Sequence, residues 1–155
     1  MTGKKKKRST TMRQLVLAAR AGRTALSARL ASLDIYPGQD ALLLALSEAD
    51  GLSLRELATR LSVRPPTITK TIARLAAQGL VDKRASDQDA RQSHAFLTER
   101  GEQIVDEVRL AQRDVERLGL KGLSTKEIKL LRKLLQRVER NLEPAASGTA
   151  EEDED

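Results

Sequence analysis

The chain has 155 residues, which suffices for one domain with tails and a buried core. It contains no cysteine, which excludes disulfides, thiolate metal sites and a redox-sensing thiol, and its single histidine gives no basis for a metal site. No apolar run approaches the roughly 18 residues that a membrane span needs, and no apolar stretch follows the basic N-terminus as in a secretory signal. We therefore expect a soluble, cytoplasmic protein with no membrane partner and no metal.

Two runs of like charge lie near the ends of the chain. Lys4 to Arg8 is a run of five cations and Glu151 to Asp155 a run of five anions, so the two cancel and the net charge of +6 arises between them. Such polar segments cannot bury enough apolar surface to fold. They predict a disordered basic arm over 1–11 and a disordered acidic tail over 143–155. The arm either binds phosphates loosely or only aids solubility. The tail is interpreted as solubilising, the alternative being that it competes with DNA for the basic surface of the same chain.

The first helical pattern covers residues 12–34. Apolar or small side chains recur there at steps of three and four, which predicts one amphipathic helix. Tyr36-Pro37-Gly38 then breaks the chain. Ala41 to Leu46 is almost wholly apolar, so we expect a second helix that is buried on most sides.

The segment from Ser53 to Leu75 predicts two short helices joined by a tight turn. Ser53 and Glu56 form a capping box, which marks the start of the first helix. Ser62-Val63-Arg64 is the turn. Two prolines at 65 and 66 open the second helix, where missing N–H groups cost least.

The second of these helices has an apolar face and a polar face. Ile68, Ile72 and Leu75 point inward at 100° per residue. The outer and flanking positions, together with the turn, give the candidate DNA-binding residues Arg64, Pro66, Thr67, Thr69, Lys70 and Arg74. A helix-turn-helix presents such a face to the major groove, where side chains hydrogen-bond to base edges. The segment carries five basic residues against one acidic residue, which favours a nucleic acid over the alternative of solvated surface charge.

Two short strands, Leu80 to Arg84 and Gln92 to Leu97, follow with a polar loop between them and predict a hairpin wing. Residues 35–98 are thus interpreted as a winged helix-turn-helix DNA-binding lobe. Thr98 can cap a long helix, and Ser124 with Glu127 forms a second capping box before a last helix. The fold class is mainly α with a small β-wing, flanked by N- and C-terminal helices over 12–34 and 99–142.

The flanking helices each carry an apolar seam. A winged module of about 70 residues cannot cover all of these seams by itself, so we expect them to pair with a second copy. A twofold dimer would place two reading helices about 34–36 Å apart on a palindromic site. The alternative is a monomeric helical bundle. The candidate dimer-interface residues are Leu15, Leu26, Val115, Leu131, Leu135 and Val138.

Four segments carry a family resemblance, namely YPGQDALLLAL, LRELATRLSVRPPTITKTIARLAAQGLV, DARQSHAFLTERG and LSTKEIKLLRKLLQRV. Over Leu15 to Leu142 the chain resembles the MarR family of bacterial transcription regulators. The four segments are similar, in that order, to the second helix of one branch of the family, to its reading unit, to its wing and exit, and to its last helix. The resemblance implies a homodimer that binds pseudo-palindromic promoter DNA, most often as a repressor, and is often released by a small ligand. It also implies that Asp89 orients Arg91 for entry into the minor groove; the alternative is a surface bridge worth about 0–1 kcal/mol.

Three positions depart from the family pattern. Ser86 stands where an Asp is frequent, which would brace the wing less rigidly. Arg64 stands where a capping Ser or Thr is common, which weakens the cap and adds a cation near the phosphates. Thr71 replaces an apolar residue, so looser helix packing is expected there.

A ligand cleft of the kind the family has would draw on Arg20, Arg23 and Tyr36, which suit an anionic aromatic compound; Tyr36 can instead anchor the Pro37-Gly38 turn. Paired carboxylates such as Asp87 and Asp89 lack a nucleophile, a metal set or a phosphate-binding glycine loop, so we predict no enzyme and no cofactor. The alternatives to a sequence-specific regulator are a non-specific architectural DNA-binding protein and a protein-interaction module.

Overall fold

A computed structural model describes residues 10–49, 51–85 and 93–143. Within these ranges the helices are α1 (Thr11–Leu30), α2 (Gln39–Ser47), α3 (Leu54–Arg60), α4 (Pro65–Ala77), α5 (Glu99–Gly119) and α6 (Thr125–Leu142), and the strands are β1 (Leu52–Ser53), β2 (Val81–Ala85) and β3 (Ser93–Leu97). This confirms the prediction of a mainly α fold with a small β-wing. The chain divides into two compact units between Glu116 and Arg117. The division into a DNA-binding lobe and dimerisation helices stays a prediction.

Several predicted segments lie outside the described residues. These are the basic arm up to residue 9, the wing loop over 86–92 and the acidic tail from 144 onward. The first helix begins at Thr11, where the Thr10 hydroxyl accepts a hydrogen bond from the Arg13 N–H at 3.2 Å. None of the described helices is both long and apolar enough to span a bilayer.

The first unit contains the hydrophobic core. The predicted second helix is α2, and its Leu42, Leu43, Ala45 and Leu46 are buried as expected. The other elements from α1 to α5, and the loops between them, contribute apolar side chains to the same core. Their buried apolar residues are Leu30, Ile35, Leu52, Leu57, Ala58, Ile68, Ile72, Leu75, Leu80, Val81, Ala95, Val105, Val108 and Ala111.

The sheet contains a strand that the sequence did not predict. The strand order is β1-β3-β2 and both pairings are antiparallel, with Leu52 opposite Ala95 and Val81 opposite Leu97. The two-residue strand β1 leads directly into the capping box of α3. It therefore ties the start of the helix-turn-helix to the base of the wing.

The first turn of α5 crosses the chain closely at Gly101. The Thr98 hydroxyl accepts from the Gly101 N–H at 3.0 Å, which confirms the predicted cap, and donates to the Gly79 carbonyl at 2.7 Å. A Cβ built on Gly101 would overlap the Leu80 carbonyl oxygen and lie 3.1 Å from its carbonyl carbon. Only a glycine lets the helix approach the turn after α4 this closely.

The second unit holds α6, which begins at the predicted capping box of Ser124 and Glu127. No residue of α6 is buried. Its apolar side chains instead form one exposed row. The exposed fractions are 55% for Leu130, 38% for Leu131, 50% for Leu134, 39% for Leu135 and 63% for Leu142.

The capping box of α3 gives a prediction for acid stability. Hydrogen bonds from the Ser53 hydroxyl and then from its backbone N–H lower the pKa of Glu56, with smaller contributions from His94 and Arg60. Because the folded-state pKa is lowered, Glu56 stabilises the fold above its ordinary value of about 4.3, and this contribution is lost as the pH falls through the lowered pKa. We expect Glu56→Gln to reduce the free energy of unfolding at neutral pH, with the difference from the wild type shrinking as the pH falls below the ordinary pKa and through the lowered one.

Urea unfolding at several pH values measures this difference. Glu107→Gln, an exposed carboxylate in the middle of α5, is the matched control because it makes the same substitution away from a helix start. A Glu56→Gln difference that stays constant across the acidic range would contradict the assignment.

Candidate nucleic-acid interface

The start of α4 is set by two prolines. Pro65 and Pro66 occupy the first two positions of the helix, where their fixed φ suits the helix and their missing N–H groups have no helical partner to lose. Arg64 is the N-cap with extended backbone, φ −69° and ψ 141°, and its side chain makes no capping hydrogen bond. This agrees with the expectation of a weakened cap. Arg64 and Pro66 are both exposed.

The two faces of α4 are separated as the sequence predicts. Ile68, Ile72 and Leu75 are 2%, 1% and 0% exposed, so the inner face is fixed in the core. The opposite face is open to solvent. Its exposed candidate residues are Thr67, Thr69, Lys70 and Arg74.

The threonine hydroxyls of α4 differ in what they can offer a ligand. Thr69 Oγ1 donates to the Pro65 carbonyl at 3.2 Å and Thr71 Oγ1 to the Thr67 carbonyl at 2.9 Å, so each uses its one proton inside the helix and keeps only acceptor capacity. Thr71 is half-buried, at a position where the family pattern given above has an apolar residue. Its hydrogen bond to the Thr67 carbonyl satisfies the hydroxyl there. Thr67 makes no side-chain hydrogen bond within the described part of the chain. Its hydroxyl can therefore donate to a phosphate or to a base acceptor.

The cations around α4 form no close ion pair with another described residue. Ion pairs between described residues include Arg29 with Asp114, Arg84 with Asp82 and Arg109 with Asp106. None of these pairs includes a residue of α3, of α4 or of the turn that joins them. The five exposed cations there are Arg55, Arg60, Arg64, Lys70 and Arg74. Exposed positive charges concentrated in one short segment are the electrostatic footprint of a polyanion site.

The structure adds two residues that the sequence analysis did not select. Arg55 and Thr59 of α3 line a groove beside the helix-turn-helix junction, together with Arg64 and Pro65. Thr59 Oγ1 donates to the Arg55 carbonyl at 3.1 Å. The signal in the sequence was the four-residue spacing of Arg55 and Thr59, which places both on the outer side of α3.

The described part of the wing is its base. The Arg84 guanidinium lies over the Phe96 ring, 4.7 Å from its centroid, and Arg84 also contacts Asp82 at 3.5 Å. Both charged side chains are largely exposed. Asp89 and Arg91 lie outside the described residues, so their role in the minor groove stays a prediction.

The candidate dimer-interface residues lie on surfaces that no described residue covers fully. In the first unit Leu15, Leu26 and Val115 are half-buried. In the second unit Leu131 and Leu135 are 38% and 39% exposed, and Val138 is half-buried. The structure thus leaves each of them accessible to a partner.

The ligand candidates have separate surroundings. The ring of Tyr36 is 58% exposed and borders an open groove with Arg74 and Gln78. Arg23 lines a different groove between α1 and α5, beside Leu26, and Arg20 is exposed on α1. The backbone of Tyr36 closes the Pro37-Gly38 turn, since its carbonyl accepts from the Gln39 N–H at 3.0 Å and its N–H donates to Gln39 Oε1 at 2.8 Å. A ligand held by these residues stays a prediction.

A helix-turn-helix on a common core, followed by an antiparallel hairpin and closed by a long helix, defines a winged helix-turn-helix protein. Residues 38–92 match the sequence profile of the MarR family. By this match and the structural likenesses given next, the chain is similar to MarR-family transcriptional regulators.

Individual relatives agree with this assignment. The HTH-type transcriptional repressor IacR of Pseudomonas putida is 32% identical over 98 residues, which are 63% of this chain and 59% of that protein. A variant of E. coli MarR, solved in complex with operator DNA, is 26% identical with a TM-score of 0.75, covering 82% of this chain and 91% of the other. The S. aureus MepR–DNA complex is 20% identical and shares the fold, with a TM-score of 0.80 and coverage of 87% and 100%.

Proposed function

We propose that this protein is a homodimeric repressor that binds a pseudo-palindromic promoter site. The observation that carries the proposal is the exposed face of α4, where Lys70 and Arg74 have no ion-pair partner among the described residues and lie opposite a fully buried apolar ridge. Side chains read bases with precision when the helix that bears them is fixed in a core.

The chemistry of this face suits duplex DNA. An arginine donates a bidentate pair of hydrogen bonds to guanine, and a lysine or threonine contacts phosphates or base acceptors. Arg55 and Arg64, at the two sides of the junction groove, add positive charge where a backbone would pass. The names of IacR and of the MarR–operator complex support a repressor and a DNA partner respectively.

The exposed apolar surface supports a dimer. Exposed apolar side chains are grouped on two helices: the row on α6, and Met12, Val16 and Leu17 of α1. Such groups expose more apolar area than the single apolar residues scattered over the surface of a monomer. The second copy is the simplest partner, because a twofold interface brings the same patches of both chains together. The two copies of α4 in such a dimer then correspond to the two half-sites of a palindromic DNA site.

Competition between DNA sequences tests sequence-specific repression. The site would be found by footprinting the purified protein on the DNA that flanks its own gene. We expect binding to this site to survive an excess of random DNA, with a preference of roughly a thousandfold or more. Equal loss of binding to random DNA would instead identify a non-specific architectural protein.

The dimer is tested by polar substitution on α6. We expect Leu131→Ser combined with Leu135→Ser to convert a species of twice 17.1 kDa into a monomer in sedimentation equilibrium, because the apolar area that drives pairing is reduced. Val63→Ser, an exposed apolar residue in the helix-turn-helix turn, is the control and should leave the mass unchanged. A wild-type protein that already sediments as a monomer would reject this part of the proposal.

A further inference from the structure

A buried amide lies at the connection between α1 and α2. Gln39 is 4% exposed, and among the described residues it is the one polar residue that is buried. Its Oε1 accepts from the Tyr36 N–H at 2.8 Å, and its Nε2 donates to Gln78 Oε1 at 3.3 Å. Burying an amide is unfavourable unless its hydrogen bonds are made, so this side chain is held in one orientation.

The partner amide belongs to the end of α4. Gln78 is the C-cap of that helix, and its Nε2 donates to the Asp34 carbonyl at 2.8 Å and to the Asp34 carboxylate at 3.3 Å. The Gln78 carbonyl also accepts from Arg100 of α5 at 3.2 Å. The amide chain therefore joins the end of the reading helix to a point 44 residues earlier in the sequence.

The acceptor of this bond is itself fixed. Asp34 has a φ of +56°, in the left-handed region, and follows the 3₁₀ turn Ala31–Leu33 that continues α1. Backbone hydrogen bonds from Asp34 to Ala31 at 3.2 Å and from Ile35 to Leu30 at 3.1 Å close this end of the helix. Because Leu30 and Ile35 are each 1% exposed, the turn is held in the core.

The geometry points to a positioning role: we propose that the Gln39–Gln78 amide pair sets the orientation of α4 relative to the α1–α2 connection and so fixes the spacing of half-sites that the dimer accepts. This inference rests on the proposed function. The 13 residues of α4 span about 20 Å. A tilt of about 10° at the Gln78 end would move the proline end by about 3 Å, which is close to the 3.4 Å rise of one base pair.

The test removes the amides without removing their volume. Gln39→Met, Gln78→Met and the double variant would be measured with two duplexes that carry the same half-sites, one at the footprinted spacing and one with a base pair inserted between them. Gln103→Met, an exposed glutamine of α5, is the matched control. Circular dichroism would establish that each variant is folded at the assay temperature.

We expect the wild type and Gln103→Met to prefer the footprinted spacing. In each single variant the ratio of the affinities for the two duplexes should fall about tenfold. In the double variant this ratio should fall no further than in either single one, because the two amides act as a pair. A helix cap that only stabilises the fold would lower affinity for both duplexes equally and leave their ratio unchanged, which would overturn the inference. If the wild type showed no preference for the operator over random DNA, the proposed function would fail and this inference with it.

Discussion

Replacing Lys70 and Arg74 together with alanine is expected to weaken binding to the operator by about a hundredfold. Both side chains are exposed on the outer face of α4, and neither has an ion-pair partner among the described residues. Their removal therefore leaves the core and the remaining ion pairs intact. Fluorescence anisotropy with a labelled operator duplex measures the effect.

The matched control for this variant lies on α6. Lys133 and Arg137 have the same residue types at the same spacing of four and are also exposed, so Lys133→Ala with Arg137→Ala removes the same charge from another helix. We expect this control to retain operator affinity within about threefold. Equal losses in both double variants would mean that the overall charge, rather than the face of α4, controls binding.

Gly101→Ala is expected to be the most destabilising glycine-to-alanine substitution in the described helices. The new Cβ would overlap the Leu80 carbonyl oxygen, and a backbone atom cannot move aside as the end of a flexible side chain does. Overpacking of this kind costs about 3 kcal/mol, which lowers the midpoint of thermal unfolding by roughly 6–12 °C for a chain of this length. Differential scanning calorimetry gives this value directly.

Gly119→Ala is the control within the same helix. A Cβ on Gly119 meets no atom within 4 Å, so the substitution changes only the backbone entropy of α5. It should leave the unfolding midpoint unchanged or raise it slightly. If Gly101→Ala were as well tolerated as this control, the close crossing at Leu80 would be refuted.

Local chemistry made most of the fold predictable. The capping boxes at Ser53 and Ser124 and the proline pair at 65 and 66 mark helix starts by interactions within four residues. The buried ridge of α4 follows from helical periodicity alone. Sequence patterns suffice wherever the deciding partner is a near neighbour in the chain.

Features decided by distant partners were missed. The strand β1 has two residues, too few for an alternating pattern, and exists because Ala95 and His94 lie opposite it. In α5 the structure buries Val105 beside the half-buried Ile104, which widens the apolar stripe by one position. The stripe is wider there because α5 packs against the lobe instead of a single helix.

The features of the candidate site also fall into those that local patterns predict and those that depend on distant partners. The rotation of an α-helix by 100° per residue predicts which residues share the outer face of α4. The structure confirms that these residues are exposed. That Tyr36 and Arg23 border separate grooves depends on tertiary packing, which no local pattern contains. The pairing of Gln39 with Gln78 likewise joins two side chains 39 residues apart.

The two prolines at the tip of α4 have a consequence for how the complex would respond to ions. They take two amide donors from the helix end, which in other proteins hold phosphates. Anchoring of the backbone then falls to long cationic side chains such as Arg55 and Arg64. Each such contact displaces condensed counterions, so the logarithm of the binding constant should fall by about 0.9 per contact for each tenfold rise in salt. A rise in intracellular potassium under osmotic stress is therefore expected to weaken the proposed DNA complex without any ligand.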